Sequence, residues 1–205
     1  MSERAHPNDT NFRSKWRFYW KRGIIPWLKY YHNPYRSAFL WRYNWINRYC
    51  KNCDLLDIPC GMGWGTSLLT GCRSVTGVDI SEDAIIEAQQ RYGKGIRFIV
   101  GSMAQLEFDN NSFDIIACLE GIEHVSFDIA YQFLQESARV LRADGQLFIS
   151  SPYCRTGEHS GNPYHLKEYQ PDELTKLLRT HFEIQDITER DIANLTVNYV
   201  RAVKK

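Results

Sequence analysis

No apolar run in this sequence approaches the roughly 18 residues that a helix needs to cross a bilayer, so we expect no transmembrane helix. The first residues, MSERAHPNDTNFRSKW, lack the apolar core of a secretory signal, and we therefore expect a cytoplasmic protein. Internal repeats and low-complexity segments are also missing. With 43% hydrophobic and 24% charged residues, the 205-residue chain has the composition of a globular protein rather than of a disordered or fibrous one.

Acidic residues are scarce at the start of the chain. Residues 1–50 hold 2 of the 24 Asp and Glu but 10 of the 25 Lys and Arg, which gives a net charge of +8, whereas residues 51–205 carry −7. The same 50 residues hold half of the aromatic side chains and five of the six Trp. This split predicts a basic aromatic helical extension, residues 1–49, followed by the main domain, residues 50–205.

The cysteines do not form the pattern of a complete metal site. Cys50 and Cys53 are spaced like the first half of a zinc knuckle, but no second close pair of Cys or His residues follows. We therefore expect all six to be reduced thiols that pack as small apolar residues.

From Leu55 onward, strand-like runs alternate with helix-like segments. This alternation predicts an α/β fold, a doubly wound and mostly parallel sheet that binds its ligands beyond the carboxyl ends of the strands. The expected strands are DLLDIPC, SVTGVDI, IRFIVGS, FDIIACL, GQLFISSP, FEIQDITE and LTVNYVRAV. The expected helices are TSLLTGC, SEDAIIEAQQRYG, DIAYQFLQESARVLRA and PDELTKLLRTHF.

A glycine-rich turn follows the first expected strand. Asp57 is followed by Gly61, Gly63 and Gly65, which let the backbone bend sharply and lie against a ligand. The spacing is neither the G-x-G-x-x-G of dinucleotide sites nor that of a phosphate loop, which would end in Lys and Ser or Thr.

Two further strand ends carry suitable side chains. Asp79, 22 residues after Asp57, ends the second expected strand and is placed to accept hydrogen bonds from ribose hydroxyls. The third expected strand ends at Gly101, Ser102 and Met103, a position from which side chains can flank an adenine ring. Each element alone is typical of a tight turn or a solvated acid, but three in order predict a nucleoside site.

These segments resemble the class I S-adenosylmethionine-dependent methyltransferases over about residues 50–185. The segments that carry the resemblance are LLDIPCGMGWGT, VTGVDIS, EFDNNSFDIIACLEGIEHV and ARVLRADGQLFISSP. The resemblance implies a Rossmann-like sheet of seven strands and S-adenosylmethionine as cofactor. It implies that Asp57 and the glycines hold the methionine part and that Asp79 binds the ribose. It also implies that Ile80, Ser102 and Met103 border adenine. Leu119 or Glu120 is then expected to lie beside the cofactor. The sequence departs from the family pattern at Pro59 and Ser102, where Gly and Asp are usual.

A carboxylate–histidine segment follows the fourth expected strand. If Glu120, Glu123 and His124 lie on one helical turn, they share a face and can bind a divalent metal or form a general base. His159 and His165 follow the fifth expected strand, near the same edge. The segment resembles the Glu-x-x-Glu-His of ubiquinone-pathway O-methyltransferases and of small-RNA 2′-O-methyltransferases. That resemblance implies a metal held by Glu120, Glu123, His124 and His165, or catalysis by His124 and Glu123 without one.

The extension allows three interpretations besides simple packing against the main domain. It is a cap over the binding pocket, a peripheral membrane anchor that places Trp and Tyr at headgroup depth, or a nucleic-acid surface. The acidic charge of residues 51–205 argues against a broad nucleic-acid surface. We therefore expect O-methylation of a small-molecule, glycan or lipid-linked hydroxyl. The alternatives are a metal-dependent RNA 2′-O-methyltransferase and a non-catalytic binding subunit.

Overall fold

The computed structural model describes residues 34–192 and 195–205. These ranges contain one sheet of seven strands, β1 Asp54–Asp57, β2 Ser74–Asp79, β3 Arg97–Val100, β4 Phe113–Leu119, β5 Leu141–Tyr153, β6 Phe182–Ile192 and β7 Leu195–Lys204. Their α-helices are α1 Pro34–Asn47, α2 Glu82–Tyr92, α3 Phe127–Val140 and α4 Pro171–Leu178. Most of the basic aromatic extension, residues 1–33, lies outside the described residues. Its expected roles as a membrane anchor or a nucleic-acid surface therefore stay predictions.

The strands lie in the order β3-β2-β1-β4-β5-β7-β6. The five strands from β3 to β5 are parallel, and β7 is antiparallel to both β5 and β6. Adjacent residues of one strand face opposite layers, so Leu55 packs into one hydrophobic core and Leu56 into the other. The predicted doubly wound, mostly parallel sheet of seven strands is therefore confirmed.

Helix α1 belongs to one of these two cores. Ile46 is fully buried, and the Trp45 ring packs edge-on against Phe148 of β5 and Tyr199 of β7, with ring centroids 4.9 and 5.8 Å apart. Tyr43 and Ile46, three residues apart, are thus buried on the same face of α1. The division of the chain at residue 49 stays a prediction. Among the described residues, no helix has the length and apolarity to cross a membrane.

The other helices begin where the sequence indicates. Ser81 caps α2 by accepting a hydrogen bond from the Ala84 amide at 3.3 Å, and Gly93 follows its last residue. Pro171 occupies the first turn of α4, which Gln170 and Glu173 close as a capping box.

Two expected helices differ from the structure. The helix expected to run through Ala143 ends at Val140, because Leu141 turns to extended backbone and pairs with Phe113 as the start of β5. The helix expected in TSLLTGC is reduced to a 3₁₀ turn, Thr66–Leu68. There the side-chain Nδ2 of Asn47 donates to the Leu68 carbonyl at 2.8 Å, and its Oδ1 accepts from the Thr70 backbone amide at 2.9 Å. The Asn47 side chain thus takes backbone groups that a longer helix would use.

Candidate cofactor and acceptor site

The glycine turn, residues 57–65, has the backbone geometry that its sequence predicts. Gly61 and Gly63 have φ of +53° and +75°, values that residues other than glycine rarely adopt. A Cβ on Gly63 would lie 2.7 Å from the Phe98 ring and 2.8 Å from Ala88, so this glycine lets the turn pack on β3 and α2. A Cβ on Gly61 would meet no atom within 4 Å. Gly61 therefore leaves an open cradle at the surface of the turn, which a ligand can fill.

Asp57 lies beneath this turn. Its side chain is fully buried and accepts a hydrogen bond from the Thr66 hydroxyl at 2.7 Å. Burial raises the pKa of Asp57 to about 7, although Thr66 and the nearby Arg42 and Tyr43 lower it. Its second oxygen, Oδ1, accepts no hydrogen bond of ordinary geometry from the described residues. The Tyr43 hydroxyl lies near enough to lower the pKa of Asp57 as a hydrogen-bond partner, so the carboxylate is enclosed between Thr66 and Tyr43.

Tyr43 of α1 packs against the glycine turn. Its ring lies directly against Gly65, where any Cβ would overlap it. Burial raises the pKa of Tyr43 well above its ordinary value, so the phenol is neutral and can donate a hydrogen bond. The extension thus contributes a side chain to the site that the sequence did not single out.

Asp79 is fixed by the backbone on both of its oxygens. The Gly61 amide donates to Oδ2 and the Ser81 amide donates to Oδ1, each at 2.9 Å. The residue is only 2% exposed, whereas its neighbour Ile80 is 67% exposed at the end of β2. The proposed roles of Asp79 as ribose anchor and of Ile80 as adenine platform stay predictions.

The remaining expected cofactor residues lie at neighbouring strand ends. Ser102 follows β3, and its hydroxyl accepts a hydrogen bond from the Ala104 amide at 3.1 Å. Met103 is buried in the same core as Val78 of β2, and Leu119 is buried at the end of β4. Their contacts with adenine or with the rest of the cofactor stay predictions.

Glu120 follows β4 and is held in an unusual backbone conformation, with φ of +52°. Its amide donates to the Ser150 carbonyl of β5 at 3.0 Å, and its carboxylate forms an ion pair with the buried guanidinium of Arg42. Burial lowers the pKa of Arg42, but Glu120, Tyr43 and Tyr199 together outweigh burial and raise the pKa above its ordinary value. The guanidinium also lies 3.7 Å from the centre of the Phe39 ring. Arg42 is a site residue that sequence reasoning missed, because its partner is 78 positions away.

Gly121 joins the glycine turn to the carboxylate–histidine segment. A Cβ at Gly121 would overlap the ring of Pro59, so only glycine allows the two loops to touch here. Residues Ile122–His124 then form one 3₁₀ turn. The loop that carries His124 is therefore packed directly on the loop expected to bind the cofactor.

His124 is oriented by a backbone carbonyl. Its Nδ1 lies 2.9 Å from the Tyr164 carbonyl oxygen, and since a carbonyl only accepts, we assign the proton to Nδ1. The Nε2 lone pair is then the basic site of the neutral ring, and it lies 3.9 Å from Oε1 of the fully buried Glu123. The side chain of His124 is 30% exposed and accessible from solvent.

His165 is oriented by a carboxylate. Its Nδ1 lies 2.5 Å from Oε1 of Glu168. The Ser160 hydroxyl donates to the same oxygen, and the Ser160 amide donates to Oε2 of Glu168. Burial raises the pKa of Glu168, but the Ser160 and His165 hydrogen bonds outweigh it, and the net shift is downward. The Nε2 of His165 accepts from the Asn162 amide at 3.0 Å. A carboxylate behind an imidazole is the usual support of a metal-binding histidine.

Glu123, His124 and His165 form one cluster, called here the carboxylate–histidine cluster. One donor atom of each lies within 4.8 Å of the others, and one carboxylate with two imidazoles is a donor set for a divalent transition metal. Glu120 instead faces Arg42, and its role as a metal ligand stays a prediction.

A family model described as a methyltransferase domain matches residues 56–149. A probable S-adenosylmethionine-dependent methyltransferase of Mycobacterium tuberculosis is 34% identical over 134 residues, which cover 63% of this chain and 48% of that protein. Residues 56–149 form a class I S-adenosylmethionine-dependent methyltransferase domain.

A further relative and a solved structure are also similar to this chain. The ubiquinone biosynthesis O-methyltransferase of Glaesserella parasuis is 33% identical over 128 residues, which cover 58% of this chain and 52% of that protein. The fold matches that of the crystal structure of PH0226 from Pyrococcus horikoshii, with a TM-score of 0.69, 24% identity and coverage of 83% of this chain and 91% of that one. The chain spans about half the length of the first curated relatives it matches.

S-adenosylmethionine is the cofactor of these methyltransferases, and the methyltransferase domain has the side chains to hold it. The open space at Gly61 and the two-point support of Asp79 fit a ribose and its adenine, and the Asp57 carboxylate beneath the turn has the charge to attract the amino group of the methionine part.

Proposed function

We propose that this chain transfers the methyl group of S-adenosylmethionine to a hydroxyl group of a small-molecule acceptor, which includes glycan and lipid-linked hydroxyls, with His124 as the general base. The observation that carries the proposal is the orientation of His124. The Tyr164 carbonyl accepts the Nδ1–H, which leaves Nε2 as the basic nitrogen of the ring. The loop that carries His124 also packs on the glycine turn, through the contact of Gly121 with Pro59.

The sulfonium supplies an activated methyl group, and the chain has to align the acceptor and remove its proton. In the proposed step His124 Nε2 takes the hydroxyl proton while the oxygen forms its bond to the methyl carbon. The carbon–sulfur bond breaks, and its electron pair stays on sulfur, which becomes neutral. The buried carboxylate of Glu123, 3.9 Å from Nε2, stabilises the imidazolium that results.

The carboxylate–histidine cluster also supports a metal-assisted form of the same reaction. A divalent ion on Glu123, His124 and His165 would polarise the acceptor oxygen and lower its pKa. In that form His124 is a ligand rather than the base. The Glu168 carboxylate behind His165 supports this second candidate, which includes an RNA 2′-hydroxyl as acceptor.

The experiment is a screen of acceptor pools with methyl-labelled cofactor, with and without a chelator. The pools contain phenolic small molecules, glycan precursors, lipid-linked hydroxyls and short RNA. Labelling of a hydroxyl that persists with the chelator and is lost in His124→Ala supports the base mechanism. Labelling that the chelator and His165→Ala both abolish supports the metal form. Cofactor binding without transfer to any pool contradicts both and favours a binding subunit.

A further inference from the structure

Three cysteines meet at the edge of the sheet opposite to the cofactor site. Cys50 follows α1, Cys53 directly precedes β1, and Cys72 precedes β2. Because β1 and β2 are parallel, their amino ends share this edge and their carboxyl ends carry Asp57 and Asp79 at the other. Cys50 and Cys53 are buried and Cys72 is half-buried. We call these three residues the thiol cluster.

The sulfur positions match those of a tetrahedral zinc site. The three Sγ atoms lie within 4.8 Å of one another, and those of Cys53 and Cys72 are 3.7 Å apart. Zinc–sulfur bonds of about 2.3 Å at tetrahedral angles place two sulfurs about 3.8 Å apart. A disulfide needs about 2.05 Å between the sulfurs, so it requires Cys53 and Cys72 to move together, whereas a zinc ion leaves them in place.

The backbone holds the two loops of the thiol cluster together without help from the thiols. The Asn52 amide donates to the Gly71 carbonyl at 2.7 Å, and the Arg73 amide donates to the Cys53 carbonyl at 2.8 Å. Gly71 has φ of +79°, and a Cβ there would lie 2.7 Å from the Cys50 carbonyl oxygen. These contacts fix the loop that carries Cys72 against the Cys50–Cys53 segment, so the donors are preorganised.

We propose that Cys50, Cys53 and Cys72 bind one Zn²⁺ as thiolates, with water in the fourth position on the half-buried side of Cys72. Binding releases the three thiol protons and oxidises nothing. The ion ties the end of α1 to the first residues of β1 and β2. Its place opposite the cofactor site keeps it independent of the carboxylate–histidine cluster, and its three protein ligands are one fewer than the four that close most structural zinc sites.

Cobalt substitution of the full reduced chain tests the proposal, because only thiolate ligands give sulfur-to-cobalt charge-transfer absorption. We expect this absorption at one Co²⁺ per chain, with displacement by Zn²⁺. Cys53→Ser and Cys72→Ser should weaken it strongly, while Cys154→Ser, a half-buried cysteine outside the thiol cluster, should keep it. His165→Ala should also keep it, which separates this site from the carboxylate–histidine cluster.

A second measurement needs no variant. Zn²⁺ should protect Cys50, Cys53 and Cys72, and no other cysteine, from alkylation as mapped by mass spectrometry. Absence of the charge-transfer band in the wild-type chain, or equal alkylation of these three cysteines with and without Zn²⁺, overturns the proposal. A Cys53–Cys72 disulfide in chain isolated without reductant, with no metal uptake after reduction, does so as well.

Discussion

The guanidinium of Arg42 forms an ion pair with the carboxylate of Glu120 and joins helix α1 to the end of strand β4. Arg42 is 5% exposed, while the Glu120 side chain is 29% exposed. The pair holds Glu120 at the mouth of the site, next to the loop of His124. Helix α1 therefore helps to fix the segment that follows β4.

Arg42→Met should lower the free energy of unfolding by about 2–3 kcal/mol, because a buried hydrogen-bonded charge pair loses one partner. Denaturant unfolding followed by circular dichroism measures the change. Arg48→Met is the matched control, since Arg48 lies exposed just after the same helix and should change stability by about 0.5 kcal/mol or less. Equal effects of the two substitutions would show that the ion pair contributes nothing.

Asp79→Asn should weaken S-adenosylmethionine binding about 10- to 100-fold, because charge-assisted hydrogen bonds to the ribose hydroxyls are worth about 1.5–3 kcal/mol. Isothermal titration calorimetry measures the affinity. Asp83→Asn, at an exposed acid in the first turn of α2, serves as the control and should bind normally. Normal binding by Asp79→Asn would remove the ribose anchor from the site.

The affinity for S-adenosylmethionine should depend on pH through Asp57, whose pKa is raised by burial to about 7. Above pH 7 the ionised carboxylate attracts the amino group of the methionine part. Below pH 7 the protonated form predominates, and the affinity should fall about tenfold for each pH unit. Titrations between about pH 5.5 and 8 measure this slope, and Asp57→Asn should flatten it. A slope that persists in Asp57→Asn would assign the titration to another group.

His124→Ala should lower kcat about 10²- to 10⁴-fold and leave cofactor affinity unchanged, because a general base acts in the transition state. Single-turnover assays with the acceptor found by the screen measure the rate. His181→Ala, at a histidine between α4 and β6, is the control and should keep normal turnover. Retained turnover in His124→Ala would remove the base from the mechanism.

Alanine at Gly61 and at Gly63 should have different effects. Both substitutions strain a left-handed backbone, at about 1–2 kcal/mol. Gly63→Ala also pushes on Phe98 and Ala88 and should lower the free energy of unfolding by about 2–5 kcal/mol in total. Gly61→Ala has space and should mainly weaken cofactor binding. Thermal unfolding of both variants, with and without S-adenosylhomocysteine, separates lost stability from lost binding. Equal destabilisation of the two variants, with the same stabilisation by S-adenosylhomocysteine, would show that Gly61 faces no ligand.

Much of the fold and of the cofactor side could be predicted from the sequence because its signals are local. Asp57 and Asp79 each end a hydrophobic run, and the parallel sheet then brings successive strand ends to one edge. Ser81 and Pro171 mark helix starts through caps that need only neighbouring residues. The end of α3 was misplaced, because the pairing of Leu141 with Phe113 depends on a distant strand.

The features that the sequence did not indicate depend on contacts between distant segments. Arg42 looks like any basic residue of the extension until the sheet brings Glu120 to it. Cys72 completes the thiol cluster only because β1 and β2 are neighbours, and Glu168 supports His165 only in the folded loop. The spacing Cys50-x2-Cys53 was the one local signal of the thiol cluster.

The contact between Gly121 and Pro59 limits how the proposed acceptor range of this chain can be engineered. Because the two loops interlock at that point, a segment grafted from another enzyme in place of residues 120–125 will seat only if its second residue is glycine. A donor that brings a side chain there would push the nucleoside turn aside and lose the cofactor along with the old acceptor. Loop exchange should therefore begin after Gly121.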